Sequence, residues 1–319
     1  MSERFRIFIT EPRDHPALAR LREIGDVRQG PPNRRMDEGE LADELRNAHA
    51  VLITSRDQIT GTMIERAAAL RVIGKFGARP ENVDWETARR RGVRILWAPE
   101  ANSNSVAEYT VLLILAFLRQ IVPAVHHVRE GGWRDTVAYG RELRGQTVGL
   151  VGLGNVGARV ARCLGGFGVT LLGADPFVPA EKAAAMGVRL TALGDLLSQS
   201  DVVCLHAMVT PETRHMIDAA ALRRMKPHAV LVNTARGALV DEAALAQALV
   251  EERIGGACLD VFASEPVASS NPLLAAPRAI VSPHLAAHTV EAQDREVTQT
   301  IEDVVRVLSG KDPVHSAGG

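Results

Sequence analysis

Short apolar runs alternate with longer amphipathic stretches along almost the whole chain. A run of about four to eight apolar residues marks a strand buried on both faces, and apolar residues at every third or fourth position mark a helix lying against it. Their regular alternation is the pattern of βαβ units around parallel sheets. In the first hundred residues it predicts strands near 5–9, 51–54, 72–75 and 94–96, with helices near 16–24, 38–47, 62–69 and 85–91. These make a small open α/β unit.

The rhythm breaks at Trp97-Ala98-Pro99-Glu100, and a long helix is expected from about 103 to 119. Its apolar face is wide and includes Val111, Leu112, Leu115 and Leu118. So much apolar surface fits packing between domains or against a second subunit, and equally burial within one subunit. A second α/β series follows, with strands at 147–151, 169–174, 202–206, 230–233, 256–260 and 279–282. A last helix, 289–308, is expected to return over the first unit, and residues 312–319 read as frayed. The fold class expected is α/β: two doubly wound parallel-sheet domains, Rossmann-like or flavodoxin-like, with a cleft between them. Residues 1–100 with 288–319 would form one discontinuous domain, and residues 101–287 the other.

Composition narrows the class. The chain has 319 residues, 46% apolar and 24% charged, which is ordinary for a soluble globular protein. A formal net charge of −1 gives no global field for nucleic acid or anionic membrane, so neither is expected as a partner. The Arg89-Arg90-Arg91 run reads as a solvated helix end. The longest apolar stretch, Tyr109 to Leu118, is too short to span a bilayer. Met1-Ser2-Glu3-Arg4 lacks a signal-peptide layout. Cys163, Cys204 and Cys258 have no paired spacing, which argues against a disulfide framework or a zinc site. No metal is expected, and a reducing cytoplasm is the expected location.

Gly152-Leu153-Gly154-Asn155-Val156-Gly157 lies between an expected strand and an expected helix. Gly152 allows the tight turn, Gly154 lets backbone approach a pyrophosphate, and Gly157 lets helix and strand pack closely. The helix N-terminus offers free N–H groups to the phosphates. Asp175 stands 18 residues past Gly157, at the end of the next strand, where an acid bonds a ribose 2′-hydroxyl. A carboxylate there repels a 2′-phosphate and no arginine follows it directly, which favours NAD over NADP.

Three more residues lie just past expected strand ends, where open α/β sheets bind ligands: Arg236, Glu265 and His284. Arginine binds a carboxylate in two places and polarises a carbonyl. Histidine carries a proton near neutral pH, and a neighbouring carboxylate favours the imidazolium and fixes the ring. Singly, each has a bland reading: a cap or partner of Asp241, a turn residue before Pro266, a loop histidine. Together, beyond a dinucleotide loop, they fit reduction of a carbonyl by hydride. Among the other histidines, His126 and His127 read as helix surface or interface. His206 ends a strand at the adenosine side and reads as a pocket liner, and His288 as a neighbour of His284.

Over nearly its whole length the chain resembles the D-isomer-specific 2-hydroxyacid dehydrogenases. The resemblance rests on Asn102-Ser103-Asn104-Ser105-Val106-Ala107-Glu108, the Gly152 loop with Asp175, and Lys226-Pro227 followed by Asn233-Thr234-Ala235-Arg236-Gly237. Asp260-Val261-Phe262 with Glu265-Pro266, and Ser282-Pro283-His284, complete it. It implies an NAD-dependent oxidoreductase acting on CH–OH that interconverts a small 2-oxoacid and its D-2-hydroxyacid. Arg236 would bind substrate, His284 would donate or accept the proton, and Glu265 would pair with it. Asn155 and Val156 would hold the pyrophosphate. Thr234, Ala235 and Asp260 would line the nicotinamide half, with Asp260 bonding the carboxamide. The chain ends would form the substrate domain, including Ala78, Arg79 and Asn102. Dimers would form through the long helix, and hinges would lie near Pro99 and after His284. The chain stops soon after its last helix, so no C-terminal regulatory domain is expected, and Glu265 argues against a formate dehydrogenase.

Two positions depart from the family. Arg79 stands where a glycine is usual, and Pro80 removes an N–H from the substrate turn; Arg79 is expected either to meet a second anionic group or to point into solvent. Met208 replaces a common proline. The rival readings are a co-repressor-like protein that senses NAD and a dehydrogenase of phosphite.

Overall fold

The computed structural model describes residues 4–77 and 79–316. Along the chain run β1 (Phe5–Ile9), α1 (Leu18–Ile24), β2 (Gly25–Gln29), α2 (Glu38–Asn47), β3 (Ala50–Ile53), α3 (Gly61–Arg66), β4 (Val72–Lys75), α4 (Trp85–Arg90) and β5 (Arg94–Trp97). Then come α5 (Ser103–Leu118), α6 (Ile121–Arg129), β6 (Thr147–Val151), α7 (Asn155–Leu164), β7 (Thr170–Ala174), α8 (Ala180–Ala185), β8 (Val188–Leu190), α9 (Leu193–Gln199) and β9 (Val202–Leu205). The chain closes with α10 (Ala219–Arg224), β10 (Val230–Asn233), α11 (Glu242–Val250), β11 (Gly256–Leu259), β12 (Ala279–Val281) and α12 (Val290–Leu308).

The fold divides into two compact units. One holds the described residues up to Asn102 and those from Thr289 on; the other is Ser103–His288. In the first, five parallel strands run in the order β2-β1-β3-β4-β5. Leu41, Leu45, Met63, Ile64 and Ala88, from α2, α3 and α4, cover one face. Leu18 and Leu21 of α1, with Val297, Ile301 and Val304 of α12, cover the other. The last helix thus returns over this sheet, against β4 and β5, as its apolar stripe implies. Two caps fix helix starts: Asp37 and Glu40 form a capping box at α2, and the Thr289 hydroxyl accepts the Ala292 N–H at 3.1 Å at α12.

The second unit has seven parallel strands in the order β12-β11-β10-β9-β6-β7-β8. The order reverses between β6 and β9, so a crevice opens at the carboxyl ends of these strands. The long helix α5 packs on α7, β10 and β11, burying Val106, Ala107, Leu113, Ile114 and Leu118 inside this unit. No single described helix is long and apolar enough to cross a membrane; α5 and α6 reach that length only together, and they are bent by 61°.

Three details depart from the sequence pattern. The strands β2 and β8 were not expected. Both are outer strands, and an edge strand needs few apolar residues; β2 alternates Val27 with Asp26 and Arg28. The expected fraying of 312–319 is wrong for residues 314–316. Asp303, fully buried on α12, accepts the backbone N–H groups of Val314 at 2.6 Å, His315 at 3.0 Å and Ser316 at 2.7 Å. The Ser316 hydroxyl then bonds both the N–H and the C=O of Trp97, at 3.0 and 2.9 Å, closing the edge of β5. Residues 317–319 lie outside the described part.

Candidate active site

The glycine loop joins β6 to α7. Gly152 has φ +93°, and a Cβ on it would meet the backbone of His206 and Ala207 at 2.8 Å. A Cβ on Gly157 would lie 2.1 Å from the Gly152 carbonyl, so the helix packs on the loop through bare backbone. A Cβ on Gly154 would meet nothing within 4 Å. Gly154 precedes the first turn of α7, whose internal bonds start with Ala158 N–H to Gly154 O at 3.0 Å. The N–H groups of Asn155, Val156 and Gly157 therefore stay outside the helix ladder and are available to an anion.

Asp175 follows β7. Its Oδ2 accepts the Leu153 N–H at 2.8 Å and its Oδ1 the Phe177 N–H at 2.9 Å. The carboxylate is thus locked beside the glycine loop. His206 follows β9, and its own N–H bonds Val151 O at 2.7 Å. Both its ring nitrogens are sealed from solvent without a hydrogen-bond partner, and this burial pushes the imidazole down to about 4. A strand-turn-helix with an open glycine, a fixed acid and an orphaned imidazole fits a dinucleotide.

The turn after β10 carries Thr234, Ala235 and Arg236. Asn233, 1% exposed, shapes it: its Oδ1 accepts the Ala235 N–H at 3.0 Å and its Nδ2 donates to Arg236 O at 2.9 Å. The Thr234 hydroxyl lies 2.9 Å from that of Thr110, which in turn donates to Val106 O at 2.8 Å, so α5 braces the turn. The next residue, Gly237, admits no Cβ, which would overlap the Phe262 and Ala263 backbone. This close approach sets the Arg236 turn against the segment that leads to Glu265.

Glu265 and His284 meet. Glu265 Oε2 lies 2.6 Å from His284 Nδ1, and its Oε1 accepts the Phe262 N–H at 3.0 Å. Glu242 holds the same segment, accepting the Ala263 N–H at 2.6 Å and the Asn271 amide at 2.7 Å. His284 has φ +56°, a left-handed conformation that disfavours a residue with a Cβ. Asp260 holds it there. The Asp260 carbonyl accepts the His284 N–H at 2.8 Å. Its side chain, wholly buried, accepts the Ser282 hydroxyl at 2.6 Å and the Leu285 and Ala286 N–H groups at 2.8 Å each.

Of the residues expected to bind substrate, Arg79 and Asn102 belong to the first unit and Arg236 to the second. Ala78 lies outside the described residues. The Arg79 side chain is about half exposed, its Nε 4.0 Å from Glu81. Asn102 donates to Glu296 Oε1 at 3.1 Å. Among the described residues no group of His, Cys, Asp and Glu is placed to hold a metal ion.

Sequence reasoning gave Asp260 a ligand contact and missed its grip on the His284 loop. It gave Asn233 no task of its own and passed over Thr110 and Glu242. Thr110 left a faint signal, a hydroxyl in a stretch otherwise almost wholly apolar. Glu242 left none, since its partners are 21 and 29 residues away.

Residues 111–286 match the model of the D-isomer specific 2-hydroxyacid dehydrogenase, NAD binding domain. The chain is 38% identical over 307 residues to a D-3-phosphoglycerate dehydrogenase of Methanocaldococcus jannaschii, covering 96% of this chain but 58% of that protein. The chain thus spans little more than half the length of the phosphoglycerate dehydrogenases it matches. It is 36% identical over 318 residues to a glyoxylate reductase of Thermofilum pendens, covering 97% of this chain and 93% of that one. Among solved structures, an acyclic imino acid reductase in complex with NADPH and D-Arg superposes with a TM-score of 0.88 at 26% identity, covering 98% of this chain and 99% of that one. On these matches the chain belongs to the D-isomer specific 2-hydroxyacid dehydrogenase family.

Proposed function

We propose that the protein reduces a small 2-oxoacid to its D-2-hydroxyacid, and oxidises the product in reverse, with NAD(H) as cofactor. The hydrogen bond from His284 Nδ1 to Glu265 carries this reading. It commits Nδ1 to the carboxylate and leaves Nε2, with no partner among the described residues, to face a substrate.

The glycine loop would hold a nicotinamide dinucleotide, which would supply the hydride for the carbonyl carbon. Arg236 binds the substrate carboxylate and polarises the carbonyl. His284 Nε2 gives its proton to the developing alkoxide and takes it back in oxidation. Glu265 holds the imidazolium that starts the reduction, in the ring orientation the transfer needs. Asn155 and Val156 offer backbone N–H groups to the pyrophosphate. Asp175 meets the adenosine ribose, and its charge selects NAD over NADP. His206 lines the adenosine side, and Thr234, Ala235 and Asp260 the nicotinamide side. The discontinuous unit binds substrate through the turn at Ala78 and Arg79 and through Asn102.

The protein works as a homodimer in the cytoplasm. The exposed apolar side chains of Leu112 on α5 and Ile121, Val122, Val125 and Val128 on α6 support the dimer. The three unpaired cysteines support the location.

The test is a panel of 2-oxoacids assayed with NADH and NADPH, followed by chiral analysis of the product. NADH-dependent formation of a D-2-hydroxyacid is expected. The same panel separates this reading from an NAD-sensing binding protein, which would turn over none of them, and from a phosphite dehydrogenase.

A further inference from the structure

Arg13 lies in the loop that leaves β1, at the carboxyl ends of the strands of the first unit. The loop is pinned: the Arg13 N–H donates to Gln29 Oε1 at 2.6 Å, and Gln29 Nε2 donates back to Arg13 O at 3.4 Å. The guanidinium stacks on Phe76, with Cζ 4.6 Å from the ring centroid. Its Nε is sealed from solvent and makes no hydrogen bond. A buried donor left unmade costs free energy, so it calls for a partner.

The nearby carboxylates do not supply one. Glu11 and Glu296 both act on Arg13 through space, yet each is engaged elsewhere. Glu11 accepts from Arg56 at 3.4 Å and from the Thr54 hydroxyl at 3.3 Å. Glu296 accepts the Asn102 amide. No described carboxylate comes within ion-pair distance of Arg13.

The geometry points to Arg13 as the anchor of an anionic group on a bound ligand, a carboxylate or a phosphate. A guanidinium offers two parallel donors to either group. Resting on the reading of the protein as a 2-oxoacid reductase, this group is a second anion of the substrate, and the preferred substrates are dianionic 2-oxoacids. Arg79 is the less suited cation, because its side chain is half in solvent and has Glu81 beside it.

The full chain is assayed with pyruvate, with 2-oxoglutarate and with a phosphate ester of a 2-oxoacid, in wild type, Arg13→Met and Arg13→Lys. Methionine keeps the stack on Phe76, and lysine keeps the charge. In Arg13→Met the ratio of kcat/KM for dianionic over monoanionic substrate falls by roughly tenfold or more, through KM, and Arg13→Lys restores part of it. The ester and the dicarboxylate arms show which anion is preferred. An unmoved ratio overturns the proposal. A second arm stands without turnover: inorganic phosphate raises the wild-type Tm above that in sodium chloride of equal ionic strength, and this rise shrinks in Arg13→Met. Equal rises overturn the site, whereas a wild type inert to every 2-oxoacid overturns only the reading of function.

Discussion

Glu265 joins two stretches of chain at one carboxylate: Oε2 meets His284 Nδ1 at 2.6 Å and Oε1 takes the Phe262 N–H at 3.0 Å. Both oxygens are occupied, so the carboxylate cannot rotate without breaking a bond. The imidazole is thereby fixed in tautomer and in direction. Its backbone is already held in a left-handed conformation.

Glu265→Gln is the direct probe. The amide oxygen can accept only one of the two bonds, and the negative charge is gone. Stabilisation of the imidazolium is lost, and kcat falls roughly 100-fold or more. Fluorescence titration shows NADH binding within a small factor of wild type, because the glycine loop lies elsewhere. His284→Ala lowers kcat further. A Glu265→Gln enzyme with wild-type kcat would falsify the assigned pair.

Asp260 is the support beneath that pair. Its carboxylate takes three donors from the 282–286 segment, and an asparagine would turn one of its acceptors into a donor facing an N–H group. Asp260→Asn is expected to destabilise by about 2–3 kcal/mol. It also loosens the loop, so hydrogen exchange at Leu285 and Ala286 accelerates and kcat falls. Wild-type protection at both amides, together with wild-type kcat, contradicts this role.

Much of this site was legible in the sequence, and the illegible part has a common cause. Arg236, Glu265 and His284 each follow an apolar run that ends in a strand, and the glycine loop announces itself by the conformations only glycine takes. The grip of Asp260 on residues 282–286 joins positions more than twenty apart, and no periodicity encodes such a contact. The strand β2 escaped for a different reason: at the sheet edge Val27 alone supplies a side chain to the core, so the apolar run that identifies inner strands is missing. The tail at 314–316 reads as polar and loose, yet a buried Asp303 collects its N–H groups. Buried acids that serve backbone donors look, in sequence, like any surface acid.

Asp175 decides cofactor choice if its charge is what the ribose meets. Wild type is expected to favour NADH over NADPH in kcat/KM, and Asp175→Ser is expected to narrow that preference by roughly tenfold or more as repulsion of the 2′-phosphate disappears. The variant also loses the bonds to the Leu153 and Phe177 N–H groups, so its Tm drops. Preference is therefore compared as a ratio of the two cofactors in one preparation. A wild type that prefers NADPH would reverse the assignment of Asp175.

His206 gives the fold a pH dependence whose sign can be worked out. Burial of its unpartnered ring lowers the imidazole from 6.5 to about 4 in the folded chain. Below 6.5 the unfolded chain takes up a proton that the folded chain refuses, so acid favours unfolding. The stabilisation is complete above about 6.5 and is lost progressively as pH falls toward 4, amounting to at most about 3 kcal/mol. Denaturant unfolding of the cofactor-free protein at pH 7 and pH 5 measures it. His206→Leu, which cannot titrate, should flatten the difference between the two pH values. Bound dinucleotide that partners the ring should flatten it in wild type as well. A wild type and a leucine variant with equal pH slopes would show that the ring is not held neutral against the Gly152 loop.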